Sequence, residues 1–169
     1  MADTLQPAIP TRLQEQARNV LKLACDVDRP IVTAESCTGG LLAALLTDIE
    51  GCSHIFERGF VTYSEEAKCD LLGLEREQID SCGAVSKEVA IAMTQGALRR
   101  SRARVALAVT GFAGPAGEEN EVGLVHFGCA VQGEETIHVE KHFGSIGREG
   151  VRIAALKTAL DLLESAMRA

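Results

Sequence analysis

The chain has 169 residues, the length of one domain, and 46 % of them are apolar, enough to bury a core without disulfide or metal staples. Its formal net charge of −7 and the lack of a basic cluster beyond Arg99-Arg100, Arg102 and Arg104 exclude a phosphate-backbone partner, though not a single small phosphorylated ligand. No run of 18 apolar residues and no basic-then-apolar leader occurs, so neither a nucleic acid nor a membrane is an expected partner and the expected location is cytoplasmic.

Residues 1–11, with two prolines and little periodicity, read as a flexible N-terminal arm, and residues 12–169 as one domain. From Arg12 to about Asp26, Leu13, Ala17, Val20, Leu21 and Ala24 recur at helical spacing. Pro30 then precedes a first strand, Ile31 to Ala34. The next residues, Glu35-Ser36-Cys37-Thr38-Gly39-Gly40, form a glycine turn into a second helix expected from Thr38 to Asp48. A second strand is expected from Phe56 to Tyr63. Ser64 followed by Glu65 and Glu66 has the form of a helix start, a capping hydroxyl with carboxylates in the first turn. That helix should stop near Gly73, and a small one should span Glu75 to Ser81. Ser86 opens a further helix through Leu98.

Arg104 to Val109 is an apolar run that suits a strand buried on both faces, followed by a loop from Gly111 to Gly117. Val122–Val131 and Glu135–Phe143 read as a hairpin turning at Gln132-Gly133. A last helix is expected from Arg148 to Met167. Helices alternating with strands, then a late hairpin, predict an α/β fold: a three-layer α/β/α sandwich with a mixed sheet. The six cysteines are scattered with no CxxC pair and read as reduced thiols.

Three segments carry candidate chemistry. The turn at Ser36 sets a hydroxyl beside the unpaired amides of a helix start, where a nucleophile and an oxyanion site can share one loop. Ser36 reads equally as a plain turn serine. A serine needs a base. Lys68 falls in the first turn of a helix, where the dipole disfavours an ammonium and burial would lower its pKa. A neutral lysine there would serve as base to Ser36, with Tyr63 orienting or relaying the proton; a solvated lysine on an amphipathic turn fits the same spacing. Cys37 is a rival nucleophile if the helix start depresses its thiol pKa.

The Gly111–Gly117 loop follows a buried strand, as ligand loops do in open sheets, but is neither a P-loop nor a GxGxxG turn. Arg148 and Arg152, four apart, share a helix face that would suit an anion. His138 and His142 share a strand face, with no third metal ligand evident, and Glu118, Glu119 and Glu121 read as a solvated loop.

Taken in order, Thr33-Ala34-Glu35-Ser36-Cys37-Thr38-Gly39-Gly40, Phe56 through Ser64 with Glu66-Ala67-Lys68, Gly83-Ala84-Val85-Ser86, Thr110-Gly111-Phe112-Ala113-Gly114-Pro115 and Phe143 through Arg152 resemble the CinA C-terminal domain family, the nicotinamide-nucleotide amidohydrolases. The resemblance covers roughly residues 12 to 166. It implies the same α/β/α fold and hydrolysis of the nicotinamide mononucleotide carboxamide to nicotinic acid mononucleotide and ammonia. It assigns Ser36, Lys68 and Tyr63 as catalytic, with Arg148 on the phosphate. Cys37, Thr38, Gly39, Gly40, Thr110, Gly111, Ala113 and Gly114 are the expected remaining substrate-binding residues. No metal or cofactor is expected. The partners implied are a small-molecule nucleotide and other copies of the chain, a dimer favoured. A non-catalytic nucleotide-binding or interaction module is the alternative.

Overall fold

The computed structural model describes residues 9–115 and 117–169, so most of the expected arm and Ala116 of the glycine loop lie outside the described residues. Six helices and five strands follow in the order α1 (Thr11–Asp26), β1 (Ile31–Glu35), α2 (Leu41–Thr47), β2 (Phe56–Val61), α3 (Glu65–Leu72), α4 (Arg76–Cys82), α5 (Lys87–Arg99), β3 (Val105–Gly111), β4 (Leu124–Val131), β5 (Ile137–His142) and α6 (Gly147–Arg168). Of the described residues within 1–11, Thr11 belongs to α1 and Ile9 packs against the core.

The sheet runs β2-β1-β3-β4-β5, with β1 parallel to both β2 and β3, and β3–β4 and β4–β5 antiparallel. Successive side chains of a strand point to opposite faces. In β3, Val105, Leu107 and Val109 join the core under α1, α2 and α6, while Ala106 and Ala108 meet α3–α5. The result is the expected three-layer α/β/α arrangement around a mixed sheet. Large residues on one face and alanines on the other let the second layer approach closely. At Gly128 of β4 the approach is closer still, because any Cβ would run into the Thr94 hydroxyl and the Ala90 carbonyl of α5.

The connection β1-α2-β2 crosses one face of the sheet, and β2 returns to β3 through α3, α4 and α5 on the other. The chain therefore leaves β1 in opposite directions on its two sides. The carboxyl ends of β1 and β3 flank a crevice there, the usual ligand position in an open α/β sheet.

Most element boundaries agree with the sequence reading to within two or three residues. The start of α2 is the informative difference. The helix begins at Leu41, not Thr38, because Gly39 (φ 59°) and Gly40 (φ 95°) are both left-handed and hold the chain in a turn first. The expected caps of Ser64 and Ser86 form: their hydroxyls accept from Ala67 N at 3.0 Å and Val89 N at 3.2 Å. Gly73 closes α3 in the left-handed region.

Candidate active site

Glu35, the last residue of β1, is fully buried, and its carboxylate oxygens accept from Leu42 N (2.9 Å) and Ala43 N (3.0 Å). The acidic side chain caps α2 from seven residues upstream and meets the positive end of the helix. Between strand and helix, Ser36 N donates to Val109 O, Gly39 N to Ser36 O and Leu41 N to Thr38 O, each at 3.0 Å. Arg152 of α6 donates from Nη2 to Thr38 O at 2.8 Å. Ser36 is thus fixed by the neighbouring strand, by its own turn and by a helix from the layer behind it.

Lys68 reaches Ser36 from the opposite layer. It is the fourth residue of α3, and its side chain is 1 % exposed. Its Nζ lies 3.0 Å from Ser36 Oγ and donates to Thr62 O at 2.8 Å. Thr62 follows β2 and is itself pinned, its N–H donating to Glu35 O at 2.8 Å. Burial lowers the Lys68 pKa from its ordinary value, against the weaker opposing pull of nearby Cys37, Glu65 and Cys69. An uncharged amine in this position has a lone pair for the serine hydroxyl proton while one N–H remains on the Thr62 carbonyl. The solvated-lysine reading does not hold, since Lys68 ranks with the apolar core residues in burial.

Ser36, Cys37, Tyr63, Lys68, Ala84, Val85, Thr110 to Pro115 and Arg148 line one cleft of about 250 Å³. The structure therefore brings together the serine turn, the start of α3, the glycine loop and the first turn of α6. Thr110 is held by a 2.8 Å bond from its hydroxyl to Ala84 O. Gly114 is placed where a Cβ would come within 2.5 Å of the Arg148 guanidinium, so the glycine lets that cation lie along the loop.

Other expected site residues have different surroundings. Thr38, Gly39 and Gly40 shape the turn but do not line the cleft, and the Gly39 amide already donates to Ser36 O. The amides of Cys37, Thr38 and Gly40 donate to no backbone oxygen among the described residues, and of these three residues Cys37 lines the cleft. Tyr63 stands at the rim, 66 % exposed, and the Lys68 hydrogen bonds go to Ser36 and Thr62, not to its phenol. Burial pushes the Cys37 thiol up to about 12, the reverse of the depression that the rival-nucleophile reading needs. Arg148 and Arg152 do not act as a pair. Arg148 lines the cleft, while Arg152 braces the turn beneath it.

Sequence reasoning missed Glu35 and Thr62 as parts of this assembly. A carboxylate inside an apolar strand run was a usable signal for Glu35. For Thr62 the contributing group is a main-chain carbonyl, which leaves no trace in residue type.

A buried serine and lysine thus lie side by side at the base of a cleft that also holds an arginine. Comparison with known proteins gives the lineage: residues 13–167 match the CinA C-terminal domain family, and the chain belongs to that family. A relative over nearly the full length is the nicotinamide-nucleotide amidohydrolase PncC of Escherichia coli, 44 % identical over 154 residues, covering 90 % of this chain and 91 % of that one. A CinA-like protein of Syntrophobacter fumaroxidans is 49 % identical over 135 residues; that match takes in 79 % of this chain, which spans about a third of that relative's length (31 %). Among solved structures, the competence/damage inducible protein CihA of Agrobacterium tumefaciens superposes with a TM-score of 0.91 at 43 % identity, covering 97 % of this chain and all of that one.

Proposed function

We propose that this chain is an amide hydrolase that converts nicotinamide mononucleotide to nicotinic acid mononucleotide and ammonia, a step in pyridine nucleotide recycling. The observation that carries the reading is the 3.0 Å contact between Lys68 Nζ and Ser36 Oγ, buried at the base of the cleft. The similarity to the E. coli amidohydrolase over nine-tenths of both chains supports the choice of substrate.

In this mechanism Ser36 Oγ attacks the carboxamide carbon as its proton passes to Lys68. The developing oxyanion is met by amides of the turn following Ser36, a stabilisation of about 3 kcal/mol for each well-aimed donor. Lys68, now protonated, returns the proton to the departing nitrogen, and Tyr63 at the rim is the assisting donor to the same group. The acyl ester on Ser36 is then hydrolysed by water, with Lys68 acting again as base. Arg148 binds the nucleotide phosphate, helped by the small residue at Gly114. The chemistry calls on a nucleophile, a base and fixed dipoles from the chain itself.

The test is to incubate the purified chain with nicotinamide mononucleotide and follow ammonia. Release by the wild type, retained in Cys37→Ser and reduced on the order of 10³-fold or more in Ser36→Ala, is the expected result. Thermal stabilisation by the nucleotide with no ammonia from the wild type would replace the enzyme with a binding module. Undiminished turnover by Ser36→Ala would remove the assigned nucleophile.

A further inference from the structure

A second group of chemically capable side chains lies on β4 and β5, and the amide chemistry makes no use of it. In the antiparallel register His126 stands directly opposite Glu140, and Gly128 opposite His138. Positions two apart on a strand share a face, so His126, His138 and Glu140 all project to the side covered by α5. Gly128 presents no side chain between them, and the His138 ring leans across to stack on His126, with centroids 5.3 Å apart. His126 Nδ1 lies 3.0 Å from His138 Nε2 and 3.7 Å from Glu140 Oε2. One donor atom from each of the three residues falls within 4.8 Å of the others.

Those separations approach a metal coordination shell. Tetrahedral zinc with bonds of about 2.0–2.1 Å places its ligand atoms about 3.3 Å apart, within small side-chain rotations of the positions found here. The surroundings add a second layer. Glu140 Oε1 is engaged by His142 Nε2 at 2.7 Å, and His142 Nδ1 meets Glu121 Oε1 at 2.7 Å. A carboxylate held by an outer imidazole, itself held by another carboxylate, is the kind of outer support that orients metal ligands. His126 is only 6 % exposed, whereas Glu140 is open to water, so one side of the group remains accessible for entry and for a water ligand.

We propose that His126, His138 and Glu140 form a binding site for one divalent transition-metal ion of the zinc type, with His142 and Glu121 orienting Glu140. Two imidazoles and a carboxylate favour zinc, cobalt or nickel over the harder calcium and magnesium. The ion ties the edge strand β5 to β4. Through the β3–β4 pairing of Thr110 with His126, it also steadies the strand that carries one wall of the cleft. The site is independent of the amide hydrolysis proposed above, because no group of the serine–lysine pair belongs to it.

The test uses the full chain, stripped with a chelator and titrated with cobalt(II) alone. The visible absorption of the bound ion is followed along with equilibrium-dialysis stoichiometry and the unfolding temperature. One cobalt per chain is expected, with absorption abolished by added zinc and a raised unfolding temperature. His138→Gln and Glu140→Gln should each weaken binding at least tenfold; both positions are more exposed than His126, so these variants keep the fold, which circular dichroism checks. His54→Ala, whose histidine lies 3.8 Å from Cys25 in another part of the chain, should bind as the wild type does. Absence of bound cobalt overturns the proposal. So does binding that survives in both His138→Gln and Glu140→Gln, or binding that is lost in His54→Ala.

Discussion

At the scale of single residues, the site turns on an amine that has been taken out of water. Lys68 has two oxygen partners and, among the described residues, no carboxylate within hydrogen-bonding distance, so a positive charge on it is only weakly compensated by the more distant Glu65. Burial accordingly holds its folded-state pKa below the 10.5 of a free lysine. The unfolded chain then binds a proton that the folded chain does not, and stability falls as pH falls from 10.5 toward the folded-state pKa. Each unit of that depression costs about 1.4 kcal/mol at pH values below both. Lys68→Met removes this dependence. Urea unfolding across the alkaline range should show the stability difference between the two proteins moving in favour of the methionine variant as pH drops, while the variant loses ammonia release. A pH-independent difference would mean that Lys68 carries its proton in the folded protein.

At the scale of elements, the packing of α3 against α5 sets where Lys68 sits. Gly96 in the last turn of α5 faces the end of α3, and a Cβ there would collide with the Leu72 carbonyl. Alanine favours a helix interior over glycine by about 1 kcal/mol. The overlap is with another helix's main chain, where such crowding typically costs 1–3 kcal/mol. Gly96→Ala should therefore lower stability by up to about 2 kcal/mol in urea unfolding and reduce turnover by shifting α3 and its lysine. Equal or greater stability with full activity would show that α3 is not held at this point. Much at this scale was readable in advance. The Ser64 and Ser86 caps, the Gly73 stop and the Gln132-Gly133 hairpin all use local signals, in which a residue and its immediate neighbours determine the conformation. The start of α2 was misread by three residues because its cap is Glu35, whose partners are seven and eight residues away. His126 has no recognisable pattern at all in its apolar strand; only the pairing of β4 with β5 supplies its neighbours.

At the scale of the whole molecule, sheet order unites what the sequence keeps apart. Ser36 and Lys68 are 32 residues apart, and Arg148 is more than a hundred residues beyond the serine, yet all three line one cleft where β1 and β3 end. Their nearness could be expected only from resemblance to a family. Spacing alone favours Lys68 on the surface over the interior. The net charge of −7 also acts at this scale. It opposes a polyanion that needs concentrated lysine and arginine, so filter binding at low salt should retain no DNA above background, and salt-sensitive retention would refute that reading. The central claim remains the uncharged state of Lys68 against Ser36. Isotope-edited NMR of the Lys68 ε-methylene through a pH titration tests it most directly. The account predicts a transition displaced well below that of solvent-exposed lysines and altered in Ser36→Ala; a transition coinciding with theirs would contradict it.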